Sequence, residues 1–456
     1  MIKAINPSTE QVAGEYPEDS PEEIDSKLRA AETAFTDWRR LRISERANCL
    51  RNLAAVMRER KSEYAQLMAI EMGKPISLGE KEIAKCAVVC DHYVQNSAAP
   101  LESVELASGG GRGYVRYDPL GPVLAIMPWN LPFWQILRMA VPCLMAGNVV
   151  LLKHAPNVPG CAAALEAAFK EAGYPPGVFT SLRIAENSVV QKICADKSIR
   201  AIALTGSEKA GVHVAALGGA LLKKTCMELG GSDPFIVLKD CDVPFTAESA
   251  VDARCENSGQ SCISPKRFIV EMPVMRSFLE GLLFSIKKRT LGDPTNPNSD
   301  MGPLAREDLM DNLQRQIDAS VNAGAKLIVG GARTGAVGYF YPPTILANVK
   351  PGMAAFEEET FGPIIAITAA ADLDEAIRLA NQSRFGLGAS IWTRNLQQAE
   401  KLAAEIDAGS VFINTAVRSD PRLPFGGIKN SGWGRELAEW GLKEFTNAKT
   451  VWVTKA

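Results

Sequence analysis

Apolar positions change their spacing along this chain in a regular way. Ser20-Pro-Glu-Glu23 has the form of a capping box with proline at the first helical position, and the run after it predicts a helix over 22–35. Leu50, Leu53, Met57, Tyr64 and Met68 keep helical spacing and predict one long helix from Ser44 to about Met72. Short β-like runs come next: Val123-Leu-Ala-Ile-Met127, Val149-Val-Leu-Leu152, Ile199-Arg-Ala-Ile-Ala-Leu204 and Phe235-Ile-Val-Leu238. The first three each precede an amphipathic or alanine-rich helical stretch, the alternation of a parallel sheet covered on both faces. A second set follows Cys262: Phe268-Ile-Val270, Lys326-Leu-Ile-Val329, Ile364-Ile-Ala-Ile367 and Val411-Phe-Ile413. The pattern implies two α/β units that meet near Glu228 to Pro234, without an internal repeat or a low-complexity linker. Gly109-Gly-Gly-Arg-Gly113 reads as a loop entering a hairpin or a change of layer.

Composition narrows the class. At 456 residues the chain is too long for one small core, and 46% hydrophobic with 22% charged residues is the balance of a soluble globular protein. A net charge of -2 gives no general attraction to nucleic acid or to an anionic membrane. The amino terminus lacks the apolar run of a signal peptide, and the stretch from Met139 to Leu152 is too short to span a bilayer. The ten cysteines form no CxxC pair and the three histidines are far apart, so neither a disulfide scaffold nor a metal site is expected. The expected location is the cytoplasm.

Two stretches carry chemistry. Asn257-Ser-Gly-Gln-Ser-Cys262 presents a thiol and Met227-Glu228-Leu-Gly-Gly-Ser-Asp-Pro234 a carboxylate, each framed by small residues. A thiolate can add to a carbonyl carbon, and a carboxylate can then activate the water that releases the product. The G-x-G-x-x-G fingerprint follows none of the predicted strands. In its place Ala203-Leu-Thr205 runs into Gly206-Ser-Glu-Lys-Ala-Gly211, where Gly206 permits close approach and Ser207 offers a hydroxyl and an N–H at a helix start. Read alone, that segment is equally a plain turn, and Lys153 at another strand end is equally a solvated lysine.

Together the pieces resemble the NAD(P)-dependent aldehyde dehydrogenase superfamily, from about Asn6 to Val453. The matching motifs are Met127-Pro-Trp-Asn130-Leu-Pro, Leu152-Lys153-His, Thr205-Gly-Ser207, Glu228-Leu-Gly-Gly, Gly259-Gln-Ser-Cys262, Glu359-Thr-Phe361-Gly-Pro and Pro424-Phe-Gly-Gly-Ile-Lys-Asn-Ser-Gly432. The resemblance implies an α/β fold with two α/β domains on parallel sheets plus a small β oligomerisation extension. It assigns 1–111 and 124–228 to a dinucleotide-binding domain and 229–421 to a catalytic domain. Residues 112–123 and 422–456 then form the extension and closing segment of a homodimer or homotetramer.

By the same resemblance Cys262 is the nucleophile, forming a thiohemiacetal and then a thioester. Asn130 and the Cys262 N–H form the oxyanion hole, and Glu228 is the base for hydrolysis. Without the other motifs Asn130 reads as the N-cap of the helix after it. For the cofactor, the resemblance gives Lys153 to the adenine ribose and Gly206 and Ser207 to the pyrophosphate. Glu359 goes to the nicotinamide ribose, with Trp129 and Phe361 beside the cofactor. NAD-preferring relatives often carry a glutamate three residues after this lysine; here Pro156 stands there, so a 2′-phosphate is not repelled and NADP is expected to be accepted alongside NAD.

Within the superfamily the wording is most like the bacterial succinate-semialdehyde dehydrogenase branch, which implies a small aldehyde with a distal carboxylate. Trp134 and Arg138, four apart on one predicted helix face, give Arg138 as the carboxylate anchor. Ser261, Ser419 and Arg418 complete the expected substrate contacts, while a structural ion pair is the other reading of Arg138. Ser264 stands where some relatives carry a second cysteine, so no local redox switch is expected. Other aliphatic or sugar-derived aldehydes remain alternatives. CoA-acylating relatives usually lack the glutamate that Glu228 supplies.

Overall fold

The computed structural model describes residues 1–106 and 111–454. Its fold is α/β, built on two largely parallel sheets. The first has six strands in the order Gly432–Trp433, Lys224–Glu228, Ala201–Thr205, Pro122–Met127, Val149–His154 and Phe179–Leu182, parallel except for the Gly432–Trp433 edge. The second has seven: Lys326–Val329, Thr344–Ala347, Ile364–Ala370, Arg267–Glu271, Pro234–Val237, Gly388–Trp392 and Ser410–Ile413, again parallel but for the first. Val123, Leu124, Val150, Leu151, Phe235 and Phe268 are buried, as expected where helices cover both faces of a sheet. Glu228 closes a strand of the first sheet and Pro234 opens one of the second.

The helix predicted over 22–35 spans Pro21–Trp38. Ser20 caps it as its sequence implies: Glu23 N–H donates to Ser20 Oγ at 3.2 Å, and Ser20 N–H donates to Glu23 Oε2 at 2.7 Å. Ile24, Leu28, Ala31 and Trp38 form its buried stripe.

The single helix expected from Ser44 to Met72 is two, Ile43–Glu59 and Lys61–Met72. They part at Arg60, whose φ of −95° and ψ of 15° leave the helical region. Arg60 is held there by Glu63 and Glu171, with shortest contacts of 3.0 and 2.9 Å. Apolar spacing does not reveal the break, because Met57 before it and Tyr64 and Met68 after it are all buried. A further helix, Ile76–Asn96, buries Ile83, Cys86, Cys90 and Tyr93 and borders the cavity described below.

Arg112–Pro119 pairs antiparallel on one side with Val104–Leu106 and on the other with Thr446–Val453. In the predicted glycine loop, Gly109 and Gly110 lie outside the described residues, and Leu106 pairs with Gly113 across it. Val104, Leu106, Trp452 and Val453 are exposed on this three-stranded sheet. Among the described residues no helix is long and apolar enough to cross a membrane.

Ser20→Ala removes one of the two reciprocal capping bonds and is expected to cost about 1 kcal/mol of local helix stability. Amide exchange in the first turn of Pro21–Trp38 should quicken accordingly, with the rest of the chain unchanged.

Candidate active site

Neighbouring strands of the six-stranded sheet deliver site residues at their carboxyl ends, where parallel α/β sheets present ligand sites. Asn130 lies just beyond Met127, Lys153 is the penultimate residue of its strand, Gly206 follows Thr205, and Glu228 ends the adjacent strand. Cys262 comes from the other direction, on the loop entering Arg267–Glu271.

That loop is held under tension. Asn257 and Ser258 have φ of 52° and 55°, and Gly259 has 75°. A left-handed non-glycine residue costs about 1–3 kcal/mol, so surrounding bonds must impose the shape. Asn257 Nδ2 donates to Asn130 O at 2.9 Å, Ser258 Oγ to Gly302 O at 2.8 Å, and Ala305 N–H to Gln260 Oε1 at 2.9 Å. A Cβ at Gly259 would stand 2.4 Å from the Gly362 carbonyl, so glycine is required for the approach as well as for the φ. Lys266, fully buried, donates to Ser261 O at 2.8 Å and Cys262 O at 2.5 Å.

Asn130 is not the N-cap of the following helix, Trp134–Met145; Phe133 occupies that position. Its Nδ2 donates to Gln260 O at 3.1 Å, which ties it to the Cys262 loop. An amide nitrogen has two N–H groups, so one remains for an oxyanion.

Cys262 is partly exposed as a residue and lines a cavity of about 190 Å³. Burial pushes it up to about 11, against the pull of Arg138 and Lys266, while Glu359 and Asp233 add to the rise. All five expected substrate residues, Trp134, Arg138, Ser261, Arg418 and Ser419, line the same cavity.

Arg138 has a partner already. It is fully buried, its Nε donates to Glu436 and its guanidinium lies 4.3 Å over the Phe425 ring, although Nη2 makes no hydrogen bond. The ion-pair reading of this residue therefore has a physical basis in the fold. A further cation on the cavity wall, Lys85, was missed in the sequence. It lies among the apolar positions of Ile76–Asn96 and bonds Ser419 Oγ at 2.7 Å. Its spacing three after Glu82 and one before Cys86, on a buried face, was the available signal.

Glu228 does not line the Cys262 cavity. Its carboxyl is buried, neither oxygen has a hydrogen-bond partner, and burial together with nearby Glu436 raises it well above the usual carboxylate range. Gly426 leaves room for it, since a Cβ there would meet Glu228 Oε1 at 2.6 Å. The two glycines after it have the same use: Gly230 faces Glu359, and Gly231 donates its N–H to Glu359 Oε1 at 3.1 Å. Glu359 also pairs with Lys266 at 3.5 Å. Trp129 and Phe361 meet edge to face with ring centroids 5.7 Å apart.

Lys153 and Ser207 share a separate cleft of about 520 Å³. Ser207 caps the helix Glu208–Ala220 and accepts from Ala210 N–H at 3.3 Å; Gly206 N–H donates to Glu228 O at 3.0 Å. Ile126, Leu204, Val214 and Leu217 supply apolar walls, and the lining includes Lys153, Lys209 and His213 but no aspartate or glutamate. A nucleotide with a phosphorylated ribose fits such a wall: apolar surface for a base, cations and a helix N-terminus for phosphate. Pro156 lines a neighbouring cavity with Asn157 and Arg306 instead. Among the described residues no group of three or more His, Cys, Asp or Glu is arranged to hold a metal ion.

The profile of the Aldehyde dehydrogenase family matches residues 1–451. The chain belongs to that family. Among relatives, it is 45% identical over 449 residues to succinate semialdehyde dehydrogenase (NAD(P)+) Sad of Escherichia coli, covering 98% of this chain and 97% of the relative. It is 43% identical over 457 residues to succinate-semialdehyde dehydrogenase (NADP(+)) of Mycobacterium avium, covering 99% and 96%. A solved aldehyde dehydrogenase structure, succinic semialdehyde dehydrogenase from Streptococcus pyogenes in complex with NADP+, superposes with a TM-score of 0.97 at 35% identity, over the full length of both chains.

Because the thiol of Cys262 is held up near 11, its thiolate fraction in the cofactor-free enzyme should grow about tenfold per pH unit between pH 7 and 10. Iodoacetamide labelling of Cys262, followed by peptide mass mapping, should accelerate in that proportion.

Proposed function

We propose that this chain oxidises succinate semialdehyde to succinate with NAD(P), accepting NADP, through a thioester on Cys262. The observation that carries the reading is the cavity in which Cys262 shares walls with Arg138 and Ser419. The full-length relatives named for this reaction support it.

Cys262 adds through its thiolate to the aldehyde carbon, giving a tetrahedral thiohemiacetal. The remaining N–H of Asn130 and the Cys262 backbone N–H meet the oxygen as it becomes negative; one such donor is worth about 10²–10³ in rate. Bound NAD(P) supplies the hydride acceptor. Lys153, Gly206 and Ser207 would hold its adenosine and pyrophosphate, and Glu359, Trp129 and Phe361 would receive its nicotinamide riboside. The carboxylate-free lining around Lys153 supports acceptance of a 2′-phosphate, and Pro156 adds no charge against it.

Glu228 then serves the second half-reaction. A carboxyl held neutral by burial takes no proton; as a carboxylate it draws the proton from the water that attacks the thioester. With its folded value raised, the base form is scarce at the bottom of the usual carboxylate range and grows as pH rises, so hydrolysis quickens with pH. The exposed apolar residues on the three-stranded sheet suit a homo-oligomeric contact, dimer or tetramer, and the cytoplasm suits a chain with ten free cysteines.

Glu228→Gln should retain a burst of one NADPH per site while steady-state turnover falls about 10²–10⁴-fold. Stopped-flow absorbance at saturating succinate semialdehyde reads both; loss of the burst would place Glu228 in acylation instead. In kinetics with each cofactor, NADP should support turnover, and strict rejection of NADP removes the cofactor reading.

A further inference from the structure

Arg384 ties together segments that the chain brings in from far apart. It lies between the helix Leu373–Asn381 and the strand Gly388–Trp392 of the seven-stranded sheet. Its Nε donates to both carboxylate oxygens of Glu208, at 3.0 and 3.3 Å, and its Nη1 donates to Glu357 O at 2.7 Å. Its own carbonyl accepts from Asn430 N–H at 3.0 Å, and Asn430 Nδ2 donates to Glu208 Oε1 at 2.7 Å.

Each of these partners borders a residue assigned to the cofactor. Glu208 follows Ser207 directly and opens the helix Glu208–Ala220, which grows out of the six-stranded sheet. Glu357 ends the short helix Ala354–Glu357 just ahead of Glu359, so the guanidinium takes one of the carbonyls that a helix end leaves free. Asn430 precedes Ser431, whose hydroxyl donates to Gly230 O at 2.7 Å. The Glu359 segment is also fixed by the helix Glu307–Asn322, since Gln316 Nε2 donates to Glu359 O at 3.1 Å. Arg384 thus joins the Ser207 turn, on one sheet, to a Glu359 segment already anchored on the other.

Both side chains of the pair keep some exposure, 43% for Arg384 and 28% for Glu208. A single ion pair so placed adds little to global stability, which leaves position as its physical effect. A dinucleotide that meets both Ser207 and Glu359 must span the two sheets. Its affinity rises when their spacing is set before it arrives, because less freedom is lost on binding. The guanidinium also offsets the charge of Glu208, which stands in the first helical turn where a diphosphate would be repelled by it.

We propose that the Glu208–Arg384 pair latches the two sides of the cofactor cleft, which makes Arg384 a positioning residue for NAD(P). This assignment rests on the proposed cofactor placement and says what holds its two ends at a fixed spacing.

Titration calorimetry with NADP, in the absence of aldehyde, tests the latch on the wild type, Arg384→Met, Arg384→Lys, Glu208→Gln and the double variant Glu208→Gln/Arg384→Met. Arg384→Met should raise the Kd for NADP about three- to tenfold, and Glu208→Gln about two- to fourfold. The first costs more because it also bares the charge of Glu208. The double variant should bind no more weakly than Arg384→Met alone, since both changes break one contact. Arg384→Lys keeps the charge and should lose less than Arg384→Met. In steady state the loss should sit in KM for NADP, with kcat at saturating cofactor held. An unchanged Kd in either single variant, losses that multiply in the double variant, or a loss confined to kcat overturns the latch. A wild type that takes up no NADP overturns the cofactor placement and the latch with it, so the two failures are told apart. A cooperative thermal melt identifies each folded variant; if Arg384→Met lacks one, Arg384→Lys and Glu208→Gln decide, and both must raise the Kd.

Discussion

One buried ammonium joins the parts of this site that the chain keeps far apart. Lys266 grips the carbonyls of Ser261 and Cys262 and pairs with Glu359, whose other contact is the N–H of Gly231. Nucleophile loop, glycine pair after Glu228 and the Glu359 segment thus share a single charge. Burying such a charge is tolerated only when its donors are satisfied, and here they are satisfied by backbone and by one carboxylate. The pull of Lys266 on the thiol of Cys262 comes from the same arrangement. Position and reactivity of the nucleophile are therefore set together.

Strands were legible where they were apolar throughout. Val149-Val-Leu-Leu and Phe268-Ile-Val announce themselves because both faces of a parallel strand are covered. Lys224–Glu228 and Gly388–Trp392 did not, since the first has an exposed end and the second is half small residues. The break at Arg60 was hidden for a different reason. Arg60 pairs there with Glu63 and with Glu171, the latter remote in sequence, and apolar spacing carries no trace of either contact.

The site was legible in its chemistry and less so in its electrostatics. Cys262, Glu228 and Asn130 stand in motifs whose residue types already suit their roles. That Arg138 would meet Glu436 could not be read from either neighbourhood, because the pair exists only once the closing segment folds back over Trp134–Met145. Lys85 escaped for the same reason. On a helix diagram it is one polar residue between apolar ones, and only the loop bearing Ser419 turns it into part of a cavity.

The pairing of Gly432 and Trp433 with Glu228 and Met227 also bears on the order in which the molecule can be made. Until that short edge is synthesised, the strand ending in Glu228 presents an open row of backbone donors and acceptors at the side of the sheet. The hydroxyl of Ser431, which donates to Gly230 O, and Gly426, which leaves space beside Glu228, arrive in the same late stretch. A growing chain therefore carries its nucleophile well before it carries the segment that packs beside its base. The hydrolytic half of the site is complete only when residues 426–433 have folded against Glu228.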